Sequence, residues 1–330
     1  MPTQAKNILF TGGTGGLAKE ALKLLLTQNL GKITVAGRSK NKLEQVKQEL
    51  VAELGTDIET KLNFIAGFDM TNPIKIQTSI NLLPSQPFDI ICLGAGGAVF
   101  GNQRQTFYWQ GQEYEKTLFQ NVIGGHITLA HLLKRQLISN NARVVVIGGE
   151  GARGIKGMIA KPSFDSGQSL REYVFAKSPE KYNPMNALGT SKLVAALWSQ
   201  HLSHICQPHF ESIWFTPGFI YGTGGTSGLP KWQDWFAQKV VFKIMSKFGM
   251  AQSPNLAARK LVACLDGSIG KNGDLLGAPE GKTIGPITDQ KPMNKAFTDK
   301  ALQAELWSIL TALYPIDFDY LTDKEEVKYA

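Results

Sequence analysis

A glycine-rich loop near the start of the chain has the composition of a phosphate-binding turn. Thr11-Gly12-Gly13-Thr14-Gly15-Gly16-Leu17-Ala18 joins a short apolar run to a stretch with helical spacing. Glycines let backbone N–H groups approach a pyrophosphate, and the amino end of the following helix adds partial positive charge. Because the loop lies between a predicted strand and a predicted helix, it indicates a dinucleotide-binding turn rather than a tight turn alone.

A basic residue follows the second apolar run, at the place where NAD-selective folds have a carboxylate. The chain reads Val35-Ala36-Gly37-Arg38-Ser39 there, with no acidic residue. Arg38, helped by Ser39 and Lys40, could hold a 2′-phosphate through charge-assisted hydrogen bonds. The alternative is a solvent-exposed arginine that opens a helix. We therefore predict NADP(H) as the cofactor.

A long connection, residues 150–187, contains candidate proton donors and acceptors. Connections of this length are often functional lids, so we predict an insertion near the active site. The Glu150 carboxylate, if desolvated, could act as an acid or a base, although an ion pair with Arg153 is the alternative. Tyr182 and Tyr173 could supply a phenol to the pocket, or they could simply pack the insertion.

The elements that must position these residues alternate between apolar runs and helical stretches, which predicts βαβ crossovers. The predicted strands are Asn7–Thr11, Ile33–Ala36, Leu62–Ala66, Phe88–Leu93, Arg143–Ile147 and Glu211–Phe215. The predicted helices are Leu17–Gln28, a segment capped by Ser39 that runs to Leu54, Asn121–Leu137 and Met185–His204. The pattern predicts an α/β, Rossmann-type, doubly wound parallel sheet. Ligands of such sheets bind at the carboxyl ends of the strands.

Composition limits the number of domains and the kinds of partner. The chain has 43% hydrophobic residues and no linker-like tract, so we predict one domain over residues 1–330, with a substrate lid and helical region at 222–330. The charge of +8 is spread rather than clustered, and we predict no nucleic-acid partner. Cys92, Cys206 and Cys264 are too far apart for a metal pattern, so we predict no metal site. Without a signal peptide or an apolar span, the predicted location is cytoplasmic.

A segment at 232–248 combines an aromatic face with a basic stripe. Trp232 and Trp235 lie on the apolar side, and Lys239 and Lys243 on the other. The favoured interpretation is an amphipathic helix that covers a pocket for a hydrophobic small-molecule substrate. The alternatives are peripheral contact with an anionic membrane surface, or a partner interface.

The glycine loop resembles that of the short-chain dehydrogenase/reductase family, which reads Thr-Gly-x-x-x-Gly-x-Gly. Gly12 and Gly16 match it, and Ala18 replaces the last glycine. The resemblance extends along the chain, and the region after Tyr221 is most similar to the retinol-dehydrogenase and protochlorophyllide-reductase-like branch. It also includes Asp69 beside the adenine, the turn Gly94-Ala95-Gly96, the helix of Asn121, the motif lysine Lys192, and Pro217-Gly218 beside the nicotinamide.

Two positions depart from the family pattern at residues that would take part in catalysis. The resemblance implies a serine at Gly149 and a tyrosine at Leu188, and neither hydroxyl is present. In the family the tyrosine moves the proton at the substrate oxygen, which is general acid–base catalysis. Lys192 keeps its implied contact with the nicotinamide ribose, or it is a surface lysine. We predict little activity on ordinary ketones.

These observations leave three functions open: an atypical NADP(H)-dependent oxidoreductase acting on a hydrophobic molecule, a non-redox enzyme, and a silent NADP(H)-binding regulator. The resemblance also implies a homodimer through the helices of Asn121 and Lys192. The predicted catalytic residues are Lys192, Asn121, Glu150 and Tyr182. The predicted cofactor-binding residues are Gly12, Thr14, Gly15, Gly16, Leu17, Arg38, Ser39, Asp69, Met70, Gly94, Ala95, Gly96, Asn121, Lys192, Pro217, Gly218 and Ile220.

Overall fold

The chain folds around an eight-stranded, mostly parallel sheet with helices on both faces. The computed structural model describes residues 5–179, 181–221, 250–316 and 318. The sheet strands are β1 Lys6–Thr11, β2 Gly31–Gly37, β3 Leu62–Ala66, β4 Phe88–Leu93, β7 Ile138–Ile147, β8 Phe210–Phe215, β9 Leu275–Gly277 and β10 Thr288–Asp289. Their order is β10-β9-β8-β7-β4-β1-β2-β3, in which β10 alone runs antiparallel to its neighbour.

The helices pack their apolar faces on this sheet, and several of them begin at side-chain caps. The helices are α1 Gly16–Thr27, α2 Lys40–Leu54, α3 Pro73–Asn81, α4 Lys116–Leu118, α5 Gly124–Lys134, α6 Gly167–Val174, α7 Pro184–Ile205, α8 Pro254–Leu265 and α9 Lys300–Leu313. Ser39 caps α2, as predicted, and Asn183 caps α7 with its side chain on two backbone N–H groups. The predicted fold class is confirmed.

The central strand β1 lies between β2 and β4, so the strand order reverses beside it. Such a reversal opens a crevice at the carboxyl ends of the two neighbouring strands. Thr11, the last residue of β1, fixes that end of the sheet. Its hydroxyl donates to the carbonyl of Cys92 at 3.2 Å and accepts from the backbone N–H groups of Gly94 and Ala95.

The helix predicted at Asn121–Leu137 differs from the observed one in both position and type. The segment begins at Lys116, passes through a π-helical turn at Phe119–Ile123, and ends at Lys134. The amide of Asn121 donates to the carbonyls of Thr117 and Gly97, which ties the wide turn to the loop after β4. Single π-helical turns often lie at functional sites.

Helix α9 covers α5 and α7 on the outer side of the sheet. The Trp307 ring lies 5.5 Å from that of His126 and 5.0 Å from that of His201, so it bridges the two covered helices. All residues from Gly124 to Leu133 are buried. Sequence periodicity does not locate α9, nor the hairpin of β5 Thr106–Trp109 and β6 Gln112–Glu115 that packs beside it.

No helix among the described residues is long and apolar enough to cross a membrane. The predicted amphipathic helix at 232–248 lies outside the described residues, as does most of the region from 222 to 250.

Candidate functional site

A cleft of about 340 Å³ opens at the carboxyl ends of β1, β2 and β4. It is where the strand order predicts a dinucleotide. Its predicted lining residues are Gly12, Thr14, Gly15, Arg38, Asp69, Met70, Gly94, Ala95 and Gly96. Gly37, Lys42, Phe68 and Gln120 also line it, and no sequence pattern had pointed to them.

The glycine loop is shaped for close approach of a ligand to the backbone. Gly12 has φ +75°, and a Cβ there would lie 2.7 Å from the backbone nitrogen of Ala95. Gly15 lines the cleft, and a Cβ there would meet nothing closer than 4.0 Å. Gly15 is also the N-cap of α1 and provides no side-chain cap, so the first N–H groups of the helix remain suited to an anion. This loop fits a pyrophosphate.

Two cations border the end of the cleft that follows β2. Arg38 and Lys42 both line it and both are exposed, and no carboxylate in the described part of the chain pairs with Arg38. Ser39 accepts from the backbone N–H of Lys42 at 3.4 Å, which sets the start of α2. Lys40, suggested from sequence, is not among the lining residues. The first turn of the helix therefore contributes Lys42 instead, a side chain that spacing alone did not single out.

Asp69 and Met70 form the opposite wall. One oxygen of Asp69 accepts from the backbone N–H and the hydroxyl of Thr71, which fixes the carboxylate beside the cleft. Behind this wall, a Cβ on Gly124 would come within 2.3 Å of the Met70 carbonyl. Helix α5 can therefore back the wall only because Gly124 has no side chain.

Asn121 positions the loop after β4 rather than presenting a free amide. Its Oδ1 accepts from the Gly97 N–H at 3.0 Å, and its Nδ2 donates to the Gly97 and Thr117 carbonyls. A Cβ on Gly96 would lie 2.4 Å from that Oδ1. Gln120 adds a hydrogen bond to the Gly97 carbonyl. The amide is thus committed to holding the cleft wall, which makes Asn121 a positioning residue.

Lys192 lies beside Gly149, where the resemblance implied a serine. The Nζ donates to the Ile147 carbonyl at 2.9 Å, at the end of β7. The residue is only partly exposed and its amine is desolvated, which lowers the pKa of Lys192 to about 8. Lys192 does not line the described cleft, so its predicted ribose contact stays a prediction.

The turn after β7 packs directly on α7 through two glycines. A Cβ on Gly189 would lie 2.9 Å from the Gly151 carbonyl, and one on Gly151 would lie 3.0 Å from the Gly189 Cα. Leu188, at the implied tyrosine position, is partly buried next to this contact. Its side chain has no group that can transfer a proton.

Glu150 is buried, and both of its oxygens have partners. Oε2 accepts from Arg153 Nε at 2.8 Å and lies 2.6 Å from Nη2, while Oε1 accepts from the Ala278 N–H at 3.0 Å. Burial raises the pKa of Glu150, and the hydrogen bond from Ala278 and the charge of Arg153 oppose that rise. This geometry favours the ion-pair interpretation over a general acid or base.

Tyr182 lies on a second cavity of about 550 Å³ formed by the insertion, α6 and the start of α7. Its hydroxyl donates to the Val99 carbonyl at 2.9 Å, and burial raises the pKa of Tyr182. The Tyr173 hydroxyl donates to the Ala187 carbonyl. Tyr182 therefore contacts the loop that continues from the cleft wall, whereas Tyr173 packs the insertion, in line with the alternative interpretation of that residue.

The remaining predicted cofactor residues are not among those that line the cleft. Gly16 begins α1, and Leu17 packs against the core under that helix. Gln252 holds the segment after β8, because its side chain donates to the Pro217 carbonyl and its backbone pairs with Ile220. Gly218 has φ +77°, and a Cβ there would lie 2.4 Å from the Thr283 carbonyl. No cluster that could hold a metal occurs among the described residues.

Comparison with known proteins agrees with this architecture. The family model described as short chain dehydrogenase matches residues 6–160. The chain is 31% identical over 134 residues to a 3-ketodihydrosphingosine reductase of Dictyostelium discoideum, an alignment that covers 37% of this chain and 39% of that relative. The chain therefore spans about two fifths of that relative's length.

Solved structures share the fold at low identity. A short-chain type dehydrogenase/reductase from Mycobacterium ulcerans superposes with a TM-score of 0.59 at 16% identity, covering 92% of this chain and 99% of that one. YwfH, an NADPH dependent reductase involved in bacilysin biosynthesis, gives 0.57 at 16% identity, covering 86% of this chain and 100% of that one.

Proposed function

We propose that this chain, which has the short-chain dehydrogenase/reductase fold and matches that family over residues 6–160, is an NADP(H)-dependent reductase of a hydrophobic small molecule. The observation that carries the proposal is the cleft that joins the open glycine loop to Arg38 and Lys42. A cofactor with a 2′-phosphate matches these two cations, with which no carboxylate of the described residues pairs.

The residues that line the cleft fit the adenosine and pyrophosphate half of the cofactor. The loop from Gly12 to Gly16 would hold the pyrophosphate, Arg38 and Lys42 the 2′-phosphate, and Asp69 the adenine side. When bound, NADPH supplies a hydride. The residues of this chain would then orient the two reactants, exclude water and donate or remove a proton at the substrate.

Proton transfer is the step for which this chain lacks the residues of the short-chain dehydrogenase/reductase pattern. We infer an atypical site, because Gly149 and Leu188 provide no hydroxyl and Lys192 is bonded to a carbonyl. Tyr182, which donates to the Val99 carbonyl in the loop that continues from the cleft wall, is the candidate phenol for this role. A substrate that needs no strong acid, such as an activated C=C bond or an iminium, would suit the same geometry.

The hydrophobic character of the substrate rests on these missing hydroxyls and on the named relative, a 3-ketodihydrosphingosine reductase. The likeness to the retinol-dehydrogenase and protochlorophyllide-reductase-like branch points the same way. It rests on residues after Tyr221, many of which lie outside the described part of the chain.

The first test is calorimetric titration of the protein with NADPH and NADH, followed by absorbance assays with 3-ketodihydrosphingosine and with cyclohexanone. We expect tighter binding of NADPH, and turnover that is slow or absent with cyclohexanone. Equal affinity for the two cofactors would refute the NADP preference. Stable NADPH binding without turnover of any substrate would favour a silent binding protein, which the engaged Lys192 amine and Glu150 carboxylate also suit.

A further inference from the structure

The buried ion pair of Glu150 and Arg153 connects two parts of the site that are far apart in sequence. The pair forms the 3-10 helical turn directly after Gly149, and its side chains are 2% and 7% exposed. Both side chains also reach a distant segment, residues 278–285. Glu150 Oε1 accepts from the Ala278 N–H, and Arg153 Nη2 donates to the Lys282 carbonyl.

The segment reached by this pair holds the turn after β8. The Thr283 carbonyl, one residue beyond Lys282, accepts from the Phe219 N–H at 3.1 Å and packs against Gly218. Thr283 also donates its hydroxyl to the Met250 carbonyl at 2.6 Å. The position of the turn therefore depends on where Thr283 is held.

A second set of hydrogen bonds, which begins at Lys260 on α8, supports the same turn. Lys260 donates its amine to the Gly285 carbonyl and to the side chain of Gln252, and Gln252 donates to the Pro217 carbonyl. Lys260 also lies near enough to Glu150 for the carboxylate to oppose the fall in its pKa that burial causes. The Glu150 carboxylate thus interacts with both cations, Arg153 and Lys260.

We propose that Glu150 is a positioning residue: with Arg153 it forms a latch, closed on Ala278 and Lys282, that sets the turn Pro217–Phe219, which the family resemblance places beside the nicotinamide end of a bound cofactor. The proposal rests on the proposed function for the identity of that end. A buried charge pair suits the task because it is directional and tolerates little displacement, since each of its oxygens is already committed.

The latch can be tested in the free protein, without any cofactor. In Glu150→Ala, the backbone N–H of Phe219 should exchange with solvent deuterium roughly tenfold faster or more, because the segment that carries its acceptor loses a charge-assisted bond. The Asn7 N–H, bonded to Asp89 at the far end of the sheet, serves as the internal reference. If the two amides respond alike, the latch does not exist.

Ligand binding then separates positioning from general damage. In Glu150→Ala and Glu150→Gln, NADPH affinity should fall by about tenfold or more, while affinity for adenosine 2′,5′-bisphosphate, which lacks the nicotinamide half, should stay within about twofold. Glu211→Gln is the matched control, since it breaks the Arg143–Glu211 pair between β7 and β8 outside the cleft. That control should leave both affinities within about twofold.

Equal loss of both ligands in the Glu150 variants would overturn the proposal in favour of a merely structural role. If the parent protein bound neither ligand, the proposed function would fail, and the exchange rates would still decide whether the latch exists.

Discussion

The aliphatic chain of Lys192 lies against Gly149, so closely that a β-carbon on the glycine would come within 3.2 Å of Lys192 Cγ. The space beside the family's serine position is therefore filled from α7. The absence of a side chain at Gly149 and the placement of the lysine are parts of one local arrangement.

Restoring the hydroxyl alone should harm the protein. We expect Gly149→Ser to lower the free energy of unfolding by about 1–2 kcal/mol, because the new side chain crowds Lys192. Activity on cyclohexanone should not appear, since Leu188 still supplies no phenol. Denaturant titration measures the first effect, and Gly15→Ser is the control, because a Cβ there has open space at φ −80°. An unchanged stability of Gly149→Ser would mean that Lys192 moves aside freely.

The cofactor preference should depend on two cations of the cleft and not on their neighbour. Arg38→Ala and Lys42→Ala should each weaken NADPH binding by about 1.5–3 kcal/mol and leave NADH binding nearly unchanged. Lys40→Ala removes an exposed charge from the same stretch, at a residue that does not line the cleft. Calorimetry on the three variants checks this. A loss in Lys40→Ala as large as that in Lys42→Ala would point to general charge attraction.

The desolvated amine of Lys192 should give a characteristic pH dependence. Its pKa is about 8 in the folded protein, against an ordinary value of 10.5 for an exposed lysine, so the unfolded chain holds the proton more tightly. Stability should therefore rise between those two pH values through this group. The free energy of unfolding of Lys192→Met should not show this rise. The difference between the parent and the variant should therefore grow by about 3 kcal/mol across that pH range.

Denaturant titrations at several pH values measure this difference, and Lys32→Met, at an exposed site on β2, provides the control. Parallel curves for the parent and Lys192→Met would show that the amine is not desolvated.

Removing one partner of the buried pair should cost more than removing both. Arg153→Ala leaves Glu150 buried without its cation, and we expect a loss of about 3 kcal/mol or more in the free energy of unfolding. Burial already raises the pKa of Glu150, so the loss should grow as pH increases past that raised pKa and the carboxyl ionises. Arg153→Ala with Glu150→Gln should recover part of the stability. A double variant with additive losses would contradict a coupled pair.

Helix α9 predicts how the chain associates. A dimer through α5 and α7, which the family resemblance implied, would have to displace Trp307 and the rest of α9 from those helices. We expect sedimentation to give a mass near 36.1 kDa. A species of twice that mass that survives in Trp307→Ala would show association through another face. A dimer that forms only in Trp307→Ala would show that α9 blocks the family interface.

The sequence determined six of the eight strands of the sheet and the glycine-loop end of the cleft, because these depend on local patterns. Strands β3 and β4 agree with their predicted limits. For β4, which is mostly buried, the apolar run alone specifies the strand. Gly12, Gly15 and Arg38 were recognisable because the chain order of strand, loop and helix already implies their common edge.

Tertiary structure alone decided the roles of the residues that could do chemistry. Glu150 as a carboxylate is compatible with catalysis or with an ion pair, and the choice follows from Ala278, which is 128 positions away. Lys42, and not the expected Lys40, lines the cleft, because the first turn of α2 directs it there. The π-helical turn at Asn121 and the cover of α9 over α5 likewise arise from contacts between distant segments. Spacing along a chain carries no information about such contacts, because the free energy that selects them is gained only when the remote partners meet.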